Sequence, residues 1–212
     1  MEFLKENLLF IREFFAEFEA TGSFCPTSKW AAKAMIAPLL KPRNGKRILE
    51  AGPGTGSVTI PLLASLRSDD HLVICEINPR FMQALKQNLA NNPDYIKHKD
   101  RITFFQGPVQ DLPDTEKFDV VICSIPFLNL EPEITESIFH KFRSLSKSDT
   151  VMTYYEYIGL KHLGRAVSQT RRRRIEQMEN FLQTFACENS RSRQRIWLNM
   201  TPINVYQMET AA

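Results

Sequence analysis

Long uncharged apolar runs are missing from this chain, and so are paired cysteines. The apolar residues of the first twenty positions are broken by Glu2, Lys5, Glu6, Arg12, Glu13, Glu17 and Glu19. That excludes a conventional spanning helix, which needs roughly 20 mostly apolar residues, and a signal peptide with an uncharged centre. Cys25, Cys75, Cys123 and Cys187 lie far apart with no Cys-x-x-Cys spacing. Neither a disulfide framework nor a zinc site is signalled, and a reducing compartment is the simpler assumption. No cluster suited to magnesium is evident either. Glycine is scarce, 8 residues in 212, yet Gly52, Gly54 and Gly56 stand at every second position of one turn.

What is present points to one core. With 43 % hydrophobic residues, a chain of this length favours a single domain. The formal charge of +3 is unevenly spread. Residues 1–140 hold 15 Lys and Arg against 18 Asp and Glu, whereas residues 141–212 hold 12 against 6. A positive field of that kind suits phosphate-bearing partners, nucleic acid or anionic lipid.

Along the chain, residues 2–19 place Phe3, Leu4, Leu8, Ile11, Phe14, Phe15 and Phe18 near one side of a helix. The stripe fits packing on the domain or burial in a membrane interface, although its net charge of −3 opposes simple attraction to anionic lipid. A helix is expected after Thr27 or Ser28, with Trp30, Met35 and Ile36 packed inward. "KRILEA", "HLVICEIN", "RITFFQG", "FDVVICS" and "DTVMTYYEY" read as strands. "PRFMQALKQNLANN" and "EITESIFHKFRSL" read as helices. "RQRIWLNM" and "INVYQME" follow as a late antiparallel edge pair. The alternation describes an α/β sheet with helices over its faces.

Chemistry concentrates at two turns. In "EAGPGTG", Gly52, Gly54 and Gly56 allow close approach of a ligand to backbone amides, with Glu50 at the strand end. The spacing departs from Gly-x-Gly-x-x-Gly, and no Gly-Lys-Ser or Gly-Lys-Thr ending grips a triphosphate. Glu76 ends the next strand, 20 residues after Gly56, where a carboxylate can accept from ribose hydroxyls. The second turn is "SIPF". Ser124 and nearby carbonyls can accept amine hydrogens, Pro126 limits motion after Ile125, and Phe127 is expected to wall the reacting methyl from water. In "TYYEY", alternation sets Tyr155 and Tyr157 on one side, as an aromatic face for an ammonium, and Tyr154 with Glu156 on the other.

"LEAGPGTG" followed by "CEIN" resembles the cofactor motifs of class I S-adenosylmethionine-dependent methyltransferases. The resemblance implies a Rossmann-like fold with a mostly parallel seven-stranded sheet. It also implies S-adenosylmethionine as cofactor, held by Glu50, Gly52, Gly54, Gly56 and Glu76. Val109 is added as an adenine neighbour, because Pro108 replaces the acidic residue many members carry and Asp111 lies three positions on. "SIPF" resembles the fourth motif of amino-group methyltransferases, of which rRNA adenine dimethyltransferases carry a related "NLPY".

"EAGPGTGSVT" with "SIPFLN" and "GSFCPTS" resembles the soluble bacterial phospholipid N-methyltransferases. That likeness implies methylation of phosphatidylethanolamine towards phosphatidylcholine, with Ser124, Ile125, Pro126, Phe127, Tyr155 and Tyr157 at the reacting end. It implies an amphipathic helix over residues 1–21, a methyltransferase domain over 22–212, and cytoplasmic placement at the inner face of the membrane. Lys161, His162, Arg165 and the run Arg171 to Arg174 would meet anionic headgroups. RNA is the competing partner for those charges. No nucleic acid is expected, because residues 186–212 look like the last two strands rather than an added helical domain. A small-molecule amine is the remaining alternative.

Overall fold

The computed structural model describes residues 27–41, 44–127, 130–158, 176–178, 180–182, 184–185, 190–199 and 201–210. The expected helix over residues 2–19, most of "GSFCPTS", and the basic run from Lys161 to Arg174 lie outside the described residues.

Seven strands form one sheet: β1 (Arg47–Ala51), β2 (His71–Glu76), β3 (Ile102–Gln106), β4 (Phe118–Cys123), β5 (Ser146–Tyr157), β6 (Ser190–Ile196) and β7 (Ile203–Thr210). Their order is β3-β2-β1-β4-β5-β7-β6. The first five run parallel, whereas β7 is antiparallel to both β5 and β6. This is the class I Rossmann-like methyltransferase fold.

Strict alternation divides the strands between two cores. Leu49, Ala51, Cys75, Val121, Cys123, Met152, Tyr154 and Met208 face one side. Helix α5 (Pro132–Ser144) covers that side with Ile134, Ile138, Phe139 and Phe142, joined by the helical residues Met178, Leu182 and Phe185. Ile48, Leu72, Ile74, Val120, Ile122, Ile203 and Val205 face the other side. There they meet α1 (Lys29–Met35), α2 (Thr59–Ser65) and α3 (Pro79–Leu89) through residues such as Met35, Leu62, Leu63 and Leu85.

Local chemistry sets the helix starts. Ser28 Oγ accepts from the Ala31 amide at 3.2 Å and caps α1. Asn78 caps α3 ahead of Pro79. The segment expected as one helix to Asn92 instead ends at Leu89, and a short helix α4 (Pro93–His98) begins beyond it. Asn92 caps this second helix, and Pro93 has no amide to continue the first. Trp30 also departs from expectation. Helix α1 turns Ala31, Ala32, Ala34 and Met35 into the core, as it does Ile36 beyond its end, and leaves Trp30 49 % exposed.

Candidate active site

The carboxyl ends of β1, β2 and β4 are stitched together by backbone bonds just past the strands. Gly52 donates to the Cys75 carbonyl at 2.9 Å, Ser124 to Ala51 at 2.8 Å, and Gly107 to Glu76 at 3.0 Å. The glycine turn, the end of β2 and the "SIPF" turn therefore line one cleft at the edge where open α/β sheets hold ligands.

The three glycines of the turn have φ of 72°, 57° and 103°, in the region that favours glycine. At Gly52 a Cβ would lie 3.0 Å from Ile125 Cγ1 and 3.3 Å from the Ile125 amide nitrogen. The cofactor turn and the amine-type turn are thus in contact, and only a hydrogen fits between them.

Glu76 is buried at the cleft wall. Its Oε1 accepts from the Asn78 amide at 2.8 Å and its Oε2 from the Gly54 amide at 3.1 Å. Burial raises its pKa, opposed by the backbone donors of Asn78, Gly54 and Ile77. A carboxylate has further lone pairs beyond these two bonds, so acceptor capacity toward a ribose remains.

Glu50 differs. It is fully buried and absent from the cleft lining. Its Oε1 accepts from Thr59 Oγ1 at 3.1 Å, and its Oε2 has no hydrogen-bond partner among the described residues. Burial pushes its pKa up to about 8, with the Thr59 bond opposing and the charge of Glu76 adding. Glu50 is therefore a support beneath the turn, tied to the first residue of α2.

Most of the other sequence-derived residues meet in the cleft. Gly52, Gly54, Val109, Ser124, Ile125, Pro126, Tyr155 and Tyr157 line it together with Glu76. The Tyr155 and Tyr157 rings are 5.3 Å apart at 82°, an edge-to-face pair. Tyr154 takes the opposite face, fully buried, stacked on Tyr206 and donating to Glu156 Oε1 at 3.1 Å. Ser124 Oγ is buried with no partner among the described residues, although its residue lines the cleft. Such a hydroxyl has hydrogen-bonding capacity to spare for a ligand atom or a water.

Two residues are placed elsewhere. Gly56 lies behind the cleft wall, where a Cβ would meet Leu85 Cδ1 at 2.7 Å. Phe127, expected beside the methyl, is 3 % exposed in the core, 4.9 Å from the Phe139 ring and 6.1 Å from Tyr154. The turn explains the second case. Phe127 donates to the Ile125 carbonyl at 3.0 Å, and this tight reversal sends Ile125 to the cleft and Phe127 into the core, where it borders a small cavity with Pro126, Tyr155 and Tyr157. Sequence reasoning missed Thr27, Ile77, Phe81, Gln110, Leu130 and Ile138 among the lining residues. Ile77 had a signal, because it directly follows the strand-end Glu76.

Residues 48–149 match the family described as methyltransferase domain. An ornithine lipid N-methyltransferase of Singulisphaera acidiphila is 24 % identical over 142 residues, 64 % of this chain and 70 % of that protein. A tRNA1(Val) (adenine(37)-N6)-methyltransferase of a Shewanella species is 31 % identical over 94 residues, 42 % of this chain and 37 % of that enzyme. In fold, an O-methyltransferase of Streptomyces achromogenes in complex with SAM superposes with a TM-score of 0.61 at 19 % identity, covering 96 % of this chain and 89 % of that one. The chain spans between 28 and 54 % of the length of its RNA- and tRNA-modifying relatives.

These relatives correct one expectation. Enzymes named for RNA or tRNA recur among them, so nucleic acid is not excluded as a partner. The expectation rested on the lack of an added helical domain, which characterises only one kind of RNA enzyme. The glycine cradle, the buried Glu76 and the Ser124 hydroxyl, which has no partner among the described residues, fit S-adenosylmethionine, the molecule held by the Streptomyces achromogenes neighbour, with an acceptor alongside. Among the described residues no helix is long and apolar enough to cross a membrane. Over residues 48–149 the chain matches a methyltransferase domain, it has the class I fold, and it is similar to both lipid- and RNA-modifying enzymes.

Proposed function

We propose that this chain methylates an amino nitrogen, and the observation that carries the reading is the Ser124 hydroxyl, buried at the cleft with no partner among the described residues. When bound, S-adenosylmethionine supplies a methyl carbon on a positively charged sulfur. The work of this chain is to place a nitrogen lone pair in line with that carbon. An ammonium has no lone pair, so the acceptor must arrive neutral. Ser124 Oγ accepts one amine hydrogen and orients the lone pair away from it. An acceptor on the N–H also helps localise the lone pair of an aromatic amine, which is otherwise shared with its ring. Glu76 takes ribose hydroxyls, Val109 borders the adenine, and Glu50 braces the glycine turn through Thr59. Tyr155 and Tyr157 form the wall against which the acceptor lies.

Two acceptors suit this geometry. Adenine in RNA is backed by the larger number of relatives, and a flat base can stack on the tyrosine wall. A lipid amine, phosphatidylethanolamine and its partly methylated forms, is favoured by a different observation. The match to the ornithine lipid enzyme runs through 142 residues and 70 % of that protein, whereas the match to the tRNA enzyme of Dyadobacter fermentans runs through 134 residues but 54 % of its length. On this second reading the protein works at the inner face of a membrane.

Methyl transfer measured side by side on unmodified ribosomal RNA and on vesicles containing phosphatidylethanolamine decides between them. Incorporation into one and not the other assigns the acceptor. Incorporation into neither, with cofactor binding intact, would overturn both in favour of a small soluble amine.

A further inference from the structure

Both tryptophans of the chain are exposed, on segments that one hydrogen bond joins near the cleft. Trp197 and Leu198, in the turn between β6 and β7, are 63 % and 67 % exposed, and Trp30 at the start of α1 is 49 % exposed. One hydrogen bond joins the two sites. The Ser28 amide donates to Asn199 Oδ1 at 2.8 Å, and Asn199 Nδ2 in turn donates to the Thr201 carbonyl at 2.8 Å. Thr27, next to Ser28, lines the cleft, as does Tyr157 at the end of β5. Leu40, beyond α1, is a further exposed apolar side chain at 49 %.

The two segments that carry this patch hold cations and no carboxylate, with Glu156 on β5 reaching Arg193 across Tyr206. Lys29, Lys33, Lys41, Arg193 and Arg195 are exposed, and the sequence carries no acidic residue in 29–41 or in 190–199. Each indole already has a cation over it, Lys29 Nζ at 5.4 Å from the Trp30 ring and the Arg195 guanidinium at 5.4 Å from the Trp197 ring.

We infer that this surface docks the mouth of the cleft onto an anionic bilayer, with Trp197 and Leu198 entering the headgroup boundary and the surrounding cations meeting lipid phosphates. Indole, aliphatic tip and cation together are the combination that partitions into a membrane interface. A nucleic acid is the less favoured occupant of this patch. Stacking on bases draws on free aromatic faces, and here each indole has one face covered. Leu198, the most exposed of these apolar side chains, offers a base nothing to stack on. The inference gives the lipid reading of the cleft a route for the headgroup, and it stands or falls separately from the identity of the acceptor.

Trp30→Phe leaves Trp197 as the only fluorophore of its kind, since the sequence holds two tryptophans. Mixed with vesicles of phosphatidylcholine and phosphatidylglycerol, the full-length Trp30→Phe chain should show a blue shift of Trp197, and brominated acyl chains should quench it. Pure phosphatidylcholine should give a weaker response. Trp197→Ser with Leu198→Ser should lower vesicle partition by about tenfold while leaving the melting temperature and cofactor affinity unchanged. An unquenched Trp197, or unaltered partition of the double variant, overturns the inference. So does a Trp197 response to single-stranded RNA that vesicles fail to produce. Methyl transfer to a detergent-dispersed amine by the double variant separates the two failures. Activity retained there with partition lost supports docking, and activity absent from both parent and variant refutes the acceptor alone.

Discussion

The two halves of the cleft are made from different materials. On the β1–β2 side the ligand meets backbone: a turn of three positive-φ glycines and the carboxylate that accepts from one of them, with a second carboxylate buried beneath. On the β4–β5 side it meets side chains, an orphan hydroxyl and an edge-to-face pair of tyrosines. Backbone geometry of the first kind tolerates few residues and recognises an invariant cofactor. Side chains can be exchanged without disturbing the sheet, so the second half is where acceptor choice is free to vary.

The strongest way to break this division is at the one place where the halves touch. Gly52→Ala adds a Cβ against the Ile125 side chain and amide at a φ of 72°, so it should strain both turns. Expected are a stability loss of about 1–3 kcal/mol and methyl transfer reduced by about a hundredfold or more, read by thermal melting and by turnover. Next is Glu76→Gln. Loss of a charged ribose acceptor should weaken cofactor binding by roughly 1.5–3 kcal/mol, measured by calorimetry, while the binding of an acceptor alone stays unchanged. Equal dissociation constants in parent and variant would remove Glu76 from the ribose.

Ser124→Ala sharpens the other half. Among the described residues the hydroxyl has no partner to lose, so folding stability should hold within about 0.5 kcal/mol. Turnover should fall by about tenfold to a hundredfold with cofactor affinity intact. A fall in cofactor affinity instead would place the hydroxyl in the first half of the cleft.

An effect on pH dependence alone should come from Glu50. Its folded pKa, raised to about 8 from an ordinary 4.5, means that the folded state holds a proton the unfolded chain has released. That contribution to stability is complete below about pH 4.5, declines as pH rises, and is lost above about 8. Glu50→Gln should flatten this slope, so that its melting temperature gains on the parent between pH 5 and pH 8. Parallel curves would mean that the proton is not held there.

The same division explains what could be read from the sequence. Glycine spacing and a carboxylate at a strand end encode the cofactor half locally, and strand alternation placed Tyr155 and Tyr157 together, opposite Tyr154. Phe127 was not legible, because the reversal from Ile125 to Phe127 turns its ring into the core against Phe139. Helix α4 was hidden by an uninterrupted helical composition, with Asn92 and Pro93 as the overlooked break. Trp30 illustrates a third limit. An indole in an apolar helix suggests burial, but three alanines bring α1 close to the sheet and make the packed face without it.

The antiparallel strand β7, wedged between β5 and β6, has a consequence for biosynthesis. During translation β5 emerges some fifty residues before the segment that will pair with it, with Met152 facing Met208 and Tyr154 facing Tyr206 in the finished sheet. Until residues 203–210 clear the ribosome, one edge of the nascent sheet stays open and β6 has nothing to join. The acceptor wall at Tyr155 and Tyr157 is therefore completed last, after the cofactor cradle, and a chain arrested short of β7 would carry an exposed edge prone to non-native pairing.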